Sequence, residues 1–213
     1  MTILKKVILC AGPVPPEPLT DTRIGIDLPA DDLEWGIYSN TATGEPAQVD
    51  WGDGTIETLV SGAQNVHAYP RGGAYEVRIS DAIGKIRCCS TLDGSPFKTR
   101  YPLRIRSFRT GAAKLTSVYT ACFSGAANMT CLDCAAGNVD RLGQYAFDGC
   151  RGLGGKLYFP KVATVYANSF RNCTGGIAEF HFAAEHEEQI RRSGQFESDP
   201  TLGTGTARCV FDL

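Results

Sequence analysis

The residues best suited to chemistry in this chain are its three histidines and nine cysteines, set among 23 acidic side chains. His181 and His186 lie five positions apart, a spacing that puts them on different faces of a helix. The neighbouring Glu185 and Glu187 complete no H-E-x-x-H zinc motif. So many thiols always allow some cysteine–histidine pair, but no spacing singles out a nucleophile and its base. Cys131-Leu132-Asp133-Cys134 is a lone C-x-x-C; a zinc site needs a second pair or suitably placed histidines, and none follows. Asp50 and Asp53 offer two carboxylates, short of the ~6–8 oxygens that calcium takes. Gly203-Thr204-Gly205 lacks the strand–helix setting of a phosphate loop, and Asp31-Asp32 with Glu34 reads as a solvated acidic turn. No catalytic residue, cofactor or metal is expected, and the chain reads as a non-enzyme.

Composition narrows the classes further. The 213 residues are 43% hydrophobic and 21% charged, with a net charge of −2, ordinary values for a globular protein. A charge this small leaves no electrostatic footprint for nucleic acid. Lys5, Lys6, Arg104, Arg106 and Arg109 form small basic clusters without an aromatic stacking platform, and read as a solvated face. No apolar run reaches the ~18 residues of a membrane span, so no membrane insertion is expected. Lys5-Lys6 before Val7-Ile8-Leu9-Cys10 resembles the opening of a signal peptide. However, the apolar run is shorter than the usual ~7–15 residues, and Pro13, Pro15, Pro16 and Pro18 break it. Residues 1–20 are therefore expected to form an arm with a proline-rich turn, a truncated signal being the alternative. An odd number of cysteines suits reduced thiols better than an obligate disulfide framework, and Cys88-Cys89 should point to opposite faces of a strand.

These residues must be positioned by β-structure in the first half. Arg23–Leu28 and Ala74–Ile79 alternate in period two, the second placing Tyr75, Val77 and Ile79 on one face. Short strands at 35–39 and 47–51, punctuated by Gly and Asn, extend the pattern over 21–90 and predict an antiparallel β-sandwich. Gly52 and Gly54 supply positive φ for a tight turn, Asp53 bonds that turn's backbone, and Trp51 and Tyr75 fill the core. His67 and Tyr69 are placed at a strand start. Val49-Asp50-Trp51-Gly52-Asp53-Gly54-Thr55, His67-Ala68-Tyr69 and Gly73-Ala74-Tyr75-Glu76-Val77, in that order, resemble a PKD-type domain, an immunoglobulin-like module, over about 21–87. Trp51 sits directly before Gly52, a shortened form of that family's turn.

The second half repeats itself. Val118–Gly125, Leu142–Cys150 and Val165–Cys173 each set an aliphatic residue five places before a Phe, and Phe123, Phe147 and Phe170 follow at 24 and then 23 residues. A fixed period of this size predicts a solenoid of about three coils over 111–182. Each coil should bury its Phe and end in a strand, at Met129–Leu132, Lys156–Pro160 and Ile177–Phe182. Cys150 and Cys173 fall at one repeat position and should stack as small buried hydrophobes. Residues 91–110 are the connector, with a turn at Asp93-Gly94-Ser95-Pro96 and a first atypical coil at Leu103, Ile105 and Phe108. The Leu142…Phe147-Asp148-Gly149-Cys150 and Val165…Phe170-Arg171-Asn172-Cys173 segments resemble the BspA-like leucine-rich repeats of bacterial surface proteins; Gly125-Ala126 is the departure in the first copy.

So short a stack needs both ends covered. The sandwich supplies one cover. Residues 183–213 supply the other: a helix at Ala183–Arg192 with Glu before Arg at i,i+4, stopped by Ser193-Gly194, and a docked final strand at Arg208–Leu213. The expected whole is mainly β, a PKD-like sandwich followed by a capped leucine-rich-repeat solenoid. By resemblance, both modules belong to bacterial proteins that contact glycans, matrix or other proteins outside the cell. The expected function is non-enzymatic recognition or adhesion of a protein or glycan at a cell surface, through Lys156, Tyr158, Glu179 and His181 on the strand face. Two readings stand beside it: a structural or receptor-binding component of a phage or prophage particle assembled in the cytoplasm, and the accessory binding subunit of a hydrolase. The sequence does not specify an oligomeric state.

Overall fold

The structure, a computed structural model, describes residues 20–41, 45–88, 100–193 and 201–213. The expected arm before residue 20, Cys89, the turn at 93–96 and Gly194 lie outside the described residues. The described protein is mainly β, built on mixed sheets that do not close into a barrel. No helix among the described residues is long and apolar enough to cross a membrane.

Seven strands come from the first half: β1 (Thr22–Leu28), β2 (Glu34–Thr41), β3 (Gln48–Asp50), β4 (Ile56–Thr58), β5 (Ala63–Ala68), β6 (Gly73–Ile79) and β7 (Ile83–Arg87). Their pairing is antiparallel: β6 lies between β1 and β3, β3 carries β4, and β2 lies between β5 and β7. The period-two reading holds in β1, where Thr22, Ile24, Ile26 and Leu28 are buried while Arg23, Gly25 and Asp27 face outward. It holds in β6, where Val77 and Ile79 are fully buried below a half-buried Tyr75. Trp51 has no exposed surface, and its indole donates to Glu57 Oε2 at 2.8 Å. Gly52 and Gly54 take φ of 83° and 97°, the region an L side chain avoids. Asp53 Oδ1 accepts the Thr55 N–H at 3.0 Å. His67 and Tyr69, expected at a strand start, instead sit at the end of β5 and just beyond it. There His67 stacks on Trp51 (5.0 Å, 6°) and Nε2 meets Asp53 Oδ2 at 2.8 Å.

The second half continues both sheets. After a short helix α1 (Tyr101–Arg104), β8 (Ile105–Thr110) pairs antiparallel with β1 and parallel with β10 (Cys131–Asp133). β7 likewise pairs antiparallel with β2 and parallel with β9 (Ser117–Val118), which carries β11 (Arg141–Leu142) and β13 (Thr164–Val165). The result is two six-stranded sheets, ordered β10-β8-β1-β6-β3-β4 and β13-β11-β9-β7-β2-β5. Of the residues read as the start of a first coil, Leu103 instead lies exposed on α1, while Ile105 and Phe108 sit on a strand shared by both halves. Their side chains point into one continuous core, where Phe108 meets Phe123 at 4.6 Å.

Successive repeats lie one above another. Phe123 stacks on Phe147 (5.4 Å, 10°) and Phe147 on Phe170 (5.0 Å, 10°). Cys150 donates its thiol to the Phe123 carbonyl (3.3 Å), and Cys173 to that of Phe147 (3.1 Å). The backbone rungs repeat in step: Phe123 N–H to Ala146 C=O, Phe147 N–H to Ser169 C=O, Phe170 N–H to Leu202 C=O. Ala121, Tyr145 and Asn168, each two residues before its Phe, take positive φ of 53–57°. Gly152 and Gly175 hold equivalent places where a Cβ would lie 2.6 Å from Met129 O and 2.3 Å from Arg151 O. The short strands β9, β11 and β13, which open each repeat, are absent from the sequence reading because a two-residue strand carries no periodicity.

Beyond them β12 (Gly155–Phe159), β14 (Ile177–Phe182) and β15 (Arg208–Phe211) form a third sheet, all parallel. The helix expected at Ala183–Arg192 is divided: Ala183 is extended, Ala184–His186 is a 3₁₀ turn, and only α2 (Glu187–Arg191) is α-helical. Neither start has a side-chain cap; the Ala184 N–H goes to the Leu213 carbonyl, and those of His186 and Glu187 go to the carbonyls three residues back, the bonding of a tight 3₁₀ turn. The i,i+4 pairs form as expected, Glu187–Arg191 at 2.7 Å and Glu188–Arg192 beside it. One expectation fails at Cys131, which is disulfide-bonded. Cys88, Cys122, Cys134, Cys150, Cys173 and Cys209 are not in disulfides.

Candidate functional site

The third sheet brings Lys156, Tyr158, Glu179 and His181 onto one face. Parallel pairing sets Lys156 opposite Glu179 and Tyr158 opposite His181, so the two rows follow from register alone. β15 adds a third column: Arg208 opposite Glu179 and Val210 opposite His181. Alternation turns Leu157, Phe159, Phe180 and Phe182 inward, all buried. That inner packing fixes the outward direction of the polar row.

Glu179 is the hub. Its Oε2 lies 2.8 Å from Lys156 Nζ and 2.8 Å from His181 Nε2, and its Oε1 accepts Arg208 Nε at 2.9 Å. Hydrogen bonding from Lys156 first, then from Arg208 and His181, pulls its pKa from 4.5 down to about 2. The same contact raises the Lys156 pKa. His181 is held from both sides, since its Nδ1 lies 2.8 Å from Asp212 Oδ1. Tyr158 stacks on this clamped imidazole (4.7 Å, 23°) and still exposes 45% of its surface. Glu179 and His181 are themselves only 8% and 6% exposed, because the central strand is covered by the long side chains of its two neighbours.

All four residues chosen from sequence therefore meet, with two roles. Tyr158 and Lys156 are presented to solvent; Glu179 and His181 support them from below. Arg208 and Asp212 complete the cluster and were missed. Their only sequence signal is the alternation of Arg208–Phe211, which predicts a strand without naming its neighbour.

The arrangement sets an imidazole between two carboxylates, those of Glu179 and Asp212, and contains no cysteine or serine. Among the described residues no group of three His, Cys, Asp or Glu side chains is disposed to hold a metal. Asp50 and Asp53 are engaged in the turn, Asp50 accepting the Gly52 N–H at 2.8 Å and Asp53 bonded to Thr55 and His67. A half-exposed aromatic ring stacked on His181, with Lys156 beside it on the same strand, suits a ligand with an apolar face and polar edges. Comparison with protein-family models, with curated proteins and with solved structures finds no match.

Proposed function

We propose that this protein is a non-enzymatic recognition module that binds a protein or glycan through the face of β12, β14 and β15. In this reading the first half is a PKD-like domain and the second a set of BspA-like leucine-rich-repeat coils, working at a bacterial cell surface. The single observation that carries it is the seating of Tyr158. An exposed aromatic ring normally costs solvation and rotamer entropy when it binds; here the His181 ring, fixed by Glu179 and Asp212, holds it in place beforehand. The stacked phenylalanines and the Trp51–Gly54 turn support the family reading.

The test is a screen of the folded protein against a glycan array and a panel of bacterial and host cells, repeated with Tyr158→Ala/Lys156→Ala. Both side chains are on the surface, so the fold should survive. A saturable hit lost in the double variant is the expected result. A hit that the double variant keeps at full affinity rules out this face.

A second reading, a component of a phage or prophage particle, rests on the six described thiols outside disulfides, which suit assembly in a reducing cytoplasm; the Cys131 disulfide weighs against it. A fixed oligomer in solution, together with a blank screen, would select it.

A further inference from the structure

We propose a second ligand site, a cleft for the carboxylate of an acidic sugar, on the outer face of the β2–β7–β9 junction. It is independent of the β12–β14–β15 face. Antiparallel pairing sets Tyr38 opposite Arg87 and Asn40 opposite Lys85, and parallel pairing sets Lys85 opposite Ser117, two residues before Tyr119. Alternation sends all of these side chains to the same outward face, around a groove of about 280 Å³.

Charge identifies the ligand. Most cations of the described chain have a carboxylate beside them, as Arg23, Arg100, Arg104, Arg106, Lys114 and Arg171 do. Lys85 and Arg87 do not. No acidic residue lines their groove. The Arg87 guanidinium lies instead between two rings, 5.2 Å from the Tyr119 centroid and 5.9 Å from that of Tyr38, and Lys85 Nζ lies 5.3 Å from Tyr119. Arg87 Nε is buried there without an acceptor. An unneutralised, ring-clamped guanidinium is a preorganised fork for a planar anion, and carboxylate fits it.

The neutral groups narrow the class. The Asn40 amide and the Tyr38 and Tyr119 hydroxyls have no hydrogen-bond partner within the described protein, and all three border the cations. A simple anion would leave them unused; a polyhydroxylated one would not. The volume lies just under the ~300–1,000 Å³ of sites for drug-sized ligands, which suits one sugar residue rather than a long chain. The larger groove beside β1 is less apt: it also holds Arg109, but the carboxylates of Asp27 and Glu76 line it too, paired with Arg106 and Arg23.

The experiment is saturation-transfer NMR and titration of the full chain with sodium glucuronate, glucose and sodium acetate. Glucuronate should bind saturably, and both glucose and acetate at least about tenfold more weakly. Lys85→Gln, an exposed change, should weaken glucuronate about tenfold; Arg87→Gln should abolish it. Because Arg87 is half-buried, its variant is first compared with wild type by circular dichroism, and Lys85→Gln decides if it is misfolded. Glucose or acetate binding as well as glucuronate, no glucuronate binding at all, or an unchanged Lys85→Gln would each overturn the proposal.

Discussion

Phe147 lies flat against Phe170, their centroids 5.0 Å apart and their planes 10° from parallel. The same ring also lies 5.4 Å from Phe123, so it is the middle member of a column running through the repeats. Each ring arrives by the same route: a residue with positive φ two places earlier, a turn, and a backbone rung to the next repeat. Offset stacking alone is modest, but full burial of three large rings in one line makes the column the axis of this half.

Phe147→Ala should destabilise the protein by about 3–5 kcal/mol, since a fully buried ring is removed and the coils on both sides are held by their own backbone rungs and cannot collapse into the gap. Tyr166→Ala, at a half-exposed ring, should stay within about 0.5 kcal/mol. Denaturant midpoints of the two variants check this; equal losses would mean that the column is not the axis.

Gly175→Ala should cost about 1–3 kcal/mol although it adds one methyl group. The new Cβ would lie 2.3 Å from both Arg151 O and Leu153 O, backbone atoms of the preceding coil that cannot rotate away. A thermal scan reads the effect as a drop of several degrees. No change would show that the coils do not approach as closely as described.

Glu179 makes stability depend on acid pH. Its folded pKa of about 2 lies below the ordinary 4.5, so its contribution is complete above about 4.5 and is lost as pH falls toward 2. Glu179→Gln should flatten that part of the stability-versus-pH curve. An unaltered slope between these values would mean that the carboxylate is not held by Lys156, Arg208 and His181.

Asp53 acts in the same direction. Burial opposes its charge, but hydrogen bonds from His67 and the Thr55 backbone outweigh that, and its pKa is lowered. Asp53→Asn should cost about 1–3 kcal/mol near neutral pH, with the difference from wild type shrinking as pH falls through the folded pKa. Urea titrations at neutral pH and at pH 3 separate the two.

Thiol labelling should follow burial. Desolvation raises the Cys134 and Cys150 thiols well above their ordinary value, keeping them protonated and slow toward alkylating reagents. Half-buried Cys209 should label first in the native protein. Peptide mapping after brief iodoacetamide treatment checks the order; early labelling of Cys150 would contradict the stacked repeats.

Much of this was legible in the residues because it is periodic or local. Spacing of Phe123, Phe147 and Phe170 states which rings must share a column, and alternation in Thr22–Leu28, Gly73–Ile79 and Gly155–Phe159 states which side chains turn inward. The Trp51–Gly54 turn declares itself through the φ that only glycine adopts freely. Repeat position also brought Lys156, Tyr158, Glu179 and His181 to one face, since parallel register carries equivalent residues into neighbouring columns. Tertiary structure alone decided the rest. That β7 and β8 each pair with one strand before them and one after is a long-range choice of partner, invisible to any local pattern. So are the arrival of Arg208 and Asp212 around Glu179 and His181, and the meeting of Tyr38, Arg87 and Tyr119 across that seam. Local sequence determines a strand's two faces; which strand lies beside it depends on how the whole chain closes over its shared core.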